Sequence, residues 1–226
     1  MSVAGKLVVI AGATSASGLA ATRELTSAGA RVIAVGRSVA RLQELSESIA
    51  AVHTEACDLT DEAAAAALAQ RVHDAHGPVD GVLHLVGGWR GGGGLAGQSE
   101  ADYRFLEQSF TALRHVSRAF DADLRASDAG RLAVVSSTAV ARPLAGGANY
   151  AAVKAATEAW ARAVAQGFDK DARDAGLPLR GASVIFRVTS LAGLETTLAQ
   201  GFAALWTSPA SKTNDTIIEL SEIGHK

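Results

Sequence analysis

Disulfides are out of reach for this chain. Its 226 residues include a single cysteine, Cys57, so no intrachain bridge can form, and a reducing, cytoplasmic setting is expected. A basic excess is missing as well. Net charge is −2 and the pI is near 6.3, which leaves nothing spare to neutralise a phosphate backbone and argues against nucleic acid as a partner. No apolar run approaches the ~20 residues of a membrane-spanning helix, so no membrane partner is expected. The opening stretch MSVAGKLVVIAG has too short an apolar part for a signal peptide and reads directly into a strand. Tyrosine and lysine are scarce too, with two and five copies.

What is present is a globular composition, 48% hydrophobic and 19% charged. It is enough to bury one core, and residues 1–226 are read as one domain. Short apolar runs at 6–12, 31–36, 79–87, 131–137, 182–188 and 216–220 alternate with longer amphipathic or alanine-rich segments at 17–28, 38–50, 60–75, 99–127, 147–175 and 194–206. A weaker run, 51–58, fills the slot after the second helix. Near-continuous Val/Ile/Leu runs suit parallel strands covered on both faces. The alternation predicts an α/β fold: a single-domain Rossmann fold, with a doubly wound parallel seven-stranded sheet and helices on both faces. Four consecutive glycines in GGWRGGGGLAG (87–97) read as a mobile loop.

The first strand-to-helix turn is AGATSASGLAATREL (11–25). Gly12, Thr14, Ser15, Ala16, Ser17 and Gly18 are small residues at a helix start. There, free backbone N–H groups and the helix dipole favour a phosphate. The second strand ends in VGRS, with Arg37 where dinucleotide folds that bind NAD carry an acid. A guanidinium binds a 2′-phosphate that a carboxylate would repel, so NADP(H) is expected in preference to NAD(H). Asp58, with Leu59 after it, is either an adenine contact or the N-cap of the next helix.

The stretch NYAAVKAATEAW (149–160) sets Tyr150 and Lys154 four residues apart, on one face of a helix. A phenol near pKa 10 is a poor acid–base group, and a neighbouring ammonium is expected to lower it. Ser137 ends the fifth strand in VVSSTAV. Ligands in open α/β sheets bind at such strand ends, so its hydroxyl can orient a substrate oxygen. Strand alternation turns Ser136 the other way.

These stretches, GATSASGLAATRELTSAGARVIAVGRS followed by VSS and YAAVK, resemble the short-chain dehydrogenase/reductase family over nearly the whole chain. The resemblance implies Ser137 as carbonyl-orienting group, Tyr150 as acid/base, and Lys154 as the residue that tunes Tyr150 and holds the nicotinamide ribose. It also implies hydride transfer between NADP(H) and a small carbonyl or alcohol substrate, and a homodimer or homotetramer. It brings Val86, Gly87, Val188 and Thr189 to the cofactor.

The chain departs from the family pattern at several places. Ala11 replaces a threonine and Ala16 a glycine, and HLVG (84–87) stands for Asn-Asn-Ala-Gly. Ser109 stands where the family has an asparagine that supports a proton relay. Arg187 and Val188 replace Pro-Gly, and the insertion after the sixth strand is nearly absent, so a more open site is expected. LVGGW (85–89), QSF (108–110) and RVT (187–189) are similar to dihydropteridine reductase, a pterin-reducing member of the same superfamily, and give an alternative reading. A second alternative is a non-catalytic NADP(H)-binding sensor or scaffold. Trp89 either stacks on a flat substrate or anchors the glycine loop, and Arg90 is read as solvated. Arg187 reaches a cofactor phosphate, reaches a substrate carboxylate, or caps the strand. His84 is read as a satisfied buried histidine, and Cys57 as buried filler.

Overall fold

A computed structural model describes residues 2–221. Seven strands form one parallel sheet: β1 (Leu7–Ala11), β2 (Arg31–Gly36), β3 (Val52–Ala56), β4 (Gly81–His84), β5 (Arg131–Ser137), β6 (Ala182–Val188) and β7 (Thr216–Glu219). Their spatial order is β3-β2-β1-β4-β5-β6-β7. The chain winds outward from β1 to β3, then crosses back to β4 and winds the other way. The order therefore reverses between β1 and β4, where Ala11 pairs with His84 at the carboxyl ends. A crevice opens at such a reversal.

The crossover helices are α1 (Ala16–Ser27), α2 (Val39–Ser48), α3 (Glu62–His76), α4 (Glu100–Ala119), α5 (Asp121–Ala126), α6 (Ala148–Ala175), α7 (Glu195–Ala204) and α8 (Ala210–Thr213). Polar residues start most of the long ones. Ser15, Ser38, Asp61 and Ser99 each accept a hydrogen bond from a backbone N–H of the first turn, which satisfies donors the helix itself cannot. The long segment 99–127 is two helices rather than one, because the chain turns at Phe120. The short α8 has no clear periodic signal.

Alternate residues of the strands feed two apolar layers. Val8, Ile10, Val32 and Ala34 pack with Leu25 of α1 and Leu198, Phe202 and Trp206 beyond. Leu7, Val9, Ile33 and Val35 pack with Leu68 and Val72 of α3 and Val116 and Phe120 of the α4 side. Both faces are thus covered, which is why these strands read as unbroken hydrophobic runs. Among the described residues no helix is long and apolar enough to cross a membrane.

The glycine loop is more ordered than its composition implies. Gln98 Nε2 donates to the carbonyls of Gly92 (3.0 Å), Gly94 (3.2 Å) and Gly146 (3.0 Å). Its Oε1 accepts from the backbone N–H of Asn149 at 3.2 Å. One amide side chain therefore ties the loop to the residue before Tyr150. Arg90 is exposed, as expected, with its guanidinium 3.9 Å over the Phe105 ring and donating to the Trp89 carbonyl at 2.8 Å.

Candidate active site

Two adjoining cavities occupy the crevice. The first, about 260 Å³, is lined by Gly12, Thr14, Ser15, Arg37, Asp58 and Leu59, among others. The second, about 250 Å³, is lined by Ser17, His84, Tyr150, Lys154, Val188 and Thr189, among others. Ser15, Leu85, Val86 and Gly87 line both, so the two form one groove. Ala16 faces a further depression beside Arg23 and Arg41. Gly18 lies beneath the turn, where a Cβ would stand 2.5 Å from the Ala13 backbone. At Gly12 a Cβ would stand 2.9 Å from the Leu85 backbone. Both positions need the missing side chain for close approach.

The chemistry-bearing groups sit at the β4–β5–β6 end. Tyr150, Lys154 and Glu158 recur every fourth residue on α6. Lys154 Nζ donates to the Val135 carbonyl at 2.8 Å and lies 5.8 Å from the Tyr150 ring centre. Desolvation alone pushes Lys154 down to about 8. The Tyr150 phenol is raised above its ordinary value by burial, while the Ser137 hydroxyl beside it pulls the other way. The expectation that Lys154 lowers Tyr150 therefore does not hold for this arrangement. The ammonium is aimed at a backbone carbonyl, and desolvation of the phenolate wins. Ser137 is 3% exposed and also accepts from the Ala139 N–H at 3.2 Å. Ser136 faces the opposite way, onto Glu158.

Other expected residues are placed differently. Ser109 borders the first cavity, but its hydroxyl donates to the Leu106 carbonyl at 2.7 Å. It is committed to its own helix rather than to the reacting groups. Asp58 is not a helix cap, because Asp61 caps α3. Asp58 accepts from the N–H and the hydroxyl of Thr60 at 3.0 and 2.7 Å, which hold its carboxyl below its usual range. Arg187 does not line the groove. It pairs with Glu158, Nη2 to Oε2 at 2.9 Å and Nε to Oε1 at 3.1 Å. Cys57 is buried on the wall of the first cavity, and burial raises its thiol. Trp89 is 62% exposed at the rim of the second cavity.

His84 is only half satisfied. Its Nε2 lies 3.0 Å from the Ser109 carbonyl, while its Nδ1 is buried with no partner. Burial first, and the Lys154 charge second, push this imidazole down to about 3. Sequence reasoning also missed Arg41, which lines the first cavity with Arg37. A second arginine one helical turn after the first was the available signal.

A doubly wound parallel sheet with a glycine-lined crevice at its strand reversal defines the Rossmann class of α/β fold, and a Tyr–Lys pair stands beside that crevice. Residues 6–172 match the family described as short chain dehydrogenase, and the chain belongs to that family. An uncharacterized oxidoreductase of Mycobacterium tuberculosis is 34% identical over 92 residues, 38% of this chain and 27% of that protein. Dehydrogenase/reductase SDR family member 7B of Bos taurus is 29% identical over 168 residues, 70% of this chain and 52% of that protein. The chain thus spans about half or less of the length of these relatives. Among solved structures, a metagenomic short-chain oxidoreductase in complex with NADP superposes with a TM-score of 0.80 at 27% identity, covering 98% of this chain and 99% of that one. L-Sorbose reductase from Gluconobacter frateurii, complexed with NADPH and L-sorbose, gives 0.82 at 19% identity, covering 98% and 97%. At that identity the second likeness speaks for the fold.

Proposed function

We propose that the chain is an NADP(H)-dependent oxidoreductase that exchanges hydride with a small carbonyl or alcohol substrate. The observation that carries this reading is the single groove, with Arg37 and Arg41 at one end and Tyr150 and Lys154 at the other, and buried Ser137 beside Tyr150. The metagenomic relative, solved with NADP, supports the choice of cofactor.

The residues fit a dinucleotide. Gly12 and Gly18 let the turn close tightly against the Leu85 and Ala13 backbone, which sets the start of α1 at the groove. Ser15, Ala16 and Ser17 present the N-terminus of α1, which favours an anion. Arg37 and Arg41 suit a 2′-phosphate, and Asp58 and Leu59 border the adenine end. Val86, Gly87, Val188 and Thr189 line the nicotinamide end. When bound, the cofactor supplies the hydride.

The protein's own groups manage the proton. Ser137 holds the substrate oxygen beside Tyr150. Tyr150 keeps its proton at neutral pH, since burial raises it, so it is poised to donate to a developing alkoxide. Lys154 holds the ribose. The Ser137 hydroxyl beside Tyr150 favours this reading over a pterin reductase that works without the serine, and the grouped triad favours it over a scaffold.

The test is titration with NADPH and with NADH, followed by nicotinamide fluorescence, for the wild type and Arg37→Asp. Tight NADPH binding that turns toward NADH in the variant is expected, and no binding of either nucleotide would overturn the reading. Tyr150→Phe should cut turnover of a carbonyl substrate by roughly 10²–10⁴.

A further inference from the structure

The histidine at the end of β4 has an unexplained nitrogen. A carbonyl carries no proton, so the 3.0 Å contact between His84 Nε2 and the Ser109 carbonyl requires the proton on Nε2. The neutral ring then presents a bare lone pair at Nδ1. That acceptor has no partner, and the residue is 4% exposed. A hydrogen bond left unmade at such a site is destabilising. The same ring borders the second cavity together with Lys154 and Tyr150. Lys154 has three donors, and one is spent on the Val135 carbonyl. Among the described side chains bordering that cavity, Lys154 is the one charged group, and its charge acts on His84. A polar, roomy site with two or more partners is where a buried water is held.

We infer that His84 is a positioning residue whose Nδ1 accepts from a buried water, and that this water accepts in turn from Lys154, fixing its ammonium behind Tyr150. The inference rests on the proposed hydride-transfer role for its consequence, though not for the contact itself. Ser109, whose hydroxyl proton is spent on Leu106, holds His84 in the required tautomer through its carbonyl.

Two substitutions separate this role from plain packing. His84→Gln keeps an amide N–H near the Nε2 position, toward Ser109, and loses the Nδ1 acceptor. His84→Asn keeps an acceptor near Nδ1 and loses the tie to Ser109. The experiment is NMR on the full chain labelled with ¹⁵N-histidine and side-chain-labelled lysine, without nucleotide. Lys154 is identified among the five lysines by the signal missing in Lys154→Met. The wild-type His84 should show the Nε2–H tautomer, with Nδ1 displaced by an accepted hydrogen bond. Lys154→Met should move that signal. The Lys154 titration midpoint should fall in His84→Gln and return in His84→Asn.

An Nδ1 that is protonated, or that ignores Lys154→Met, would overturn the inference, and both are read without any His84 variant. So would a Lys154 midpoint that His84→Gln leaves in place. If NADPH binds, His84→Gln should also lower kcat about tenfold, with kcat recovering in His84→Asn. Failure of NADPH binding with the NMR coupling intact would instead remove the functional reading and leave the contact standing.

Discussion

Arg187 and Glu158 form a bidentate ion pair between β6 and α6, with contacts of 2.9 to 3.1 Å. Glu158 also accepts from Ser136 Oγ at 2.7 Å. Glu158 lies one turn beyond Lys154, so the pair anchors the helix carrying Tyr150 to the two strands that form the site's floor. The side chains are only 14% and 6% exposed. Removing one partner leaves a buried charge without compensation, which costs about 3–5 kcal/mol. Arg187→Met should therefore lose about that much in urea unfolding. The double variant Arg187→Met/Glu158→Leu should recover much of the loss, because no lone charge remains. A double variant no more stable than Arg187→Met would show that the pair does not act as a unit.

Gln98 ties the glycine loop to the start of α6, its two N–H donors shared among three carbonyls and its Oε1 accepting once. Gln98→Ala removes all four, but most of the freed groups sit near solvent and can turn to water. The expected stability loss is about 1 kcal/mol. Backbone hydrogen exchange at 91–97 should rise sharply, with the core strands unchanged. Exchange in that segment equal to wild type would mean that the loop is held by something other than Gln98.

The parts of the site that follow from local spacing were legible in the sequence. Tyr150 and Lys154 share a helix face, Ser137 ends a strand, and Gly12 to Gly18 sit on one turn. Each needs knowledge of one element only. The central strands read out because burial on both faces makes them unbroken apolar runs, while the edge strands β3 and β7, only partly buried, carry a weaker signal and are placed by the strand–helix alternation. Arg187 was misread because its partner is 29 residues earlier, on a different element. No periodicity reports such a pairing. His84 was taken as satisfied because its second nitrogen depends on what faces it across the sheet. The Tyr150 shift depends on burial against charge, and spacing carries only the charge.

His84 should leave a signature in the acid stability of the fold. Its folded pKa is pushed from 6.5 to about 3, so the unfolded chain takes up a proton there that the native state refuses. Stability from this group is present above about pH 6.5 and is lost as pH falls toward about 3, by up to ~1.4 kcal/mol per pH unit. His84→Gln has no such proton. The difference between wild type and variant in ΔG of unfolding should therefore shrink steadily below pH 6.5. A difference constant with pH would mean that His84 titrates normally in the folded chain.

Arg41 shares the first cavity with Arg37, one turn into α2 and on the side facing Thr14 and Asp58. Both guanidiniums are exposed in the present structure, so neither contributes much to stability. Their worth lies in a ligand that brings its own charge. A 2′-phosphate held by two guanidiniums gains charge-assisted hydrogen bonds worth about 1.5–3 kcal/mol each. Arg41→Ala should therefore weaken NADPH binding by about tenfold or more, while NADH binding, which has no such phosphate, stays within about twofold. The NADPH loss should also shrink at high salt, because screening acts on an exposed ion contact. Equal weakening of both nucleotides would place Arg41 against a part of the dinucleotide common to the two, and Arg37 would then carry the selectivity alone.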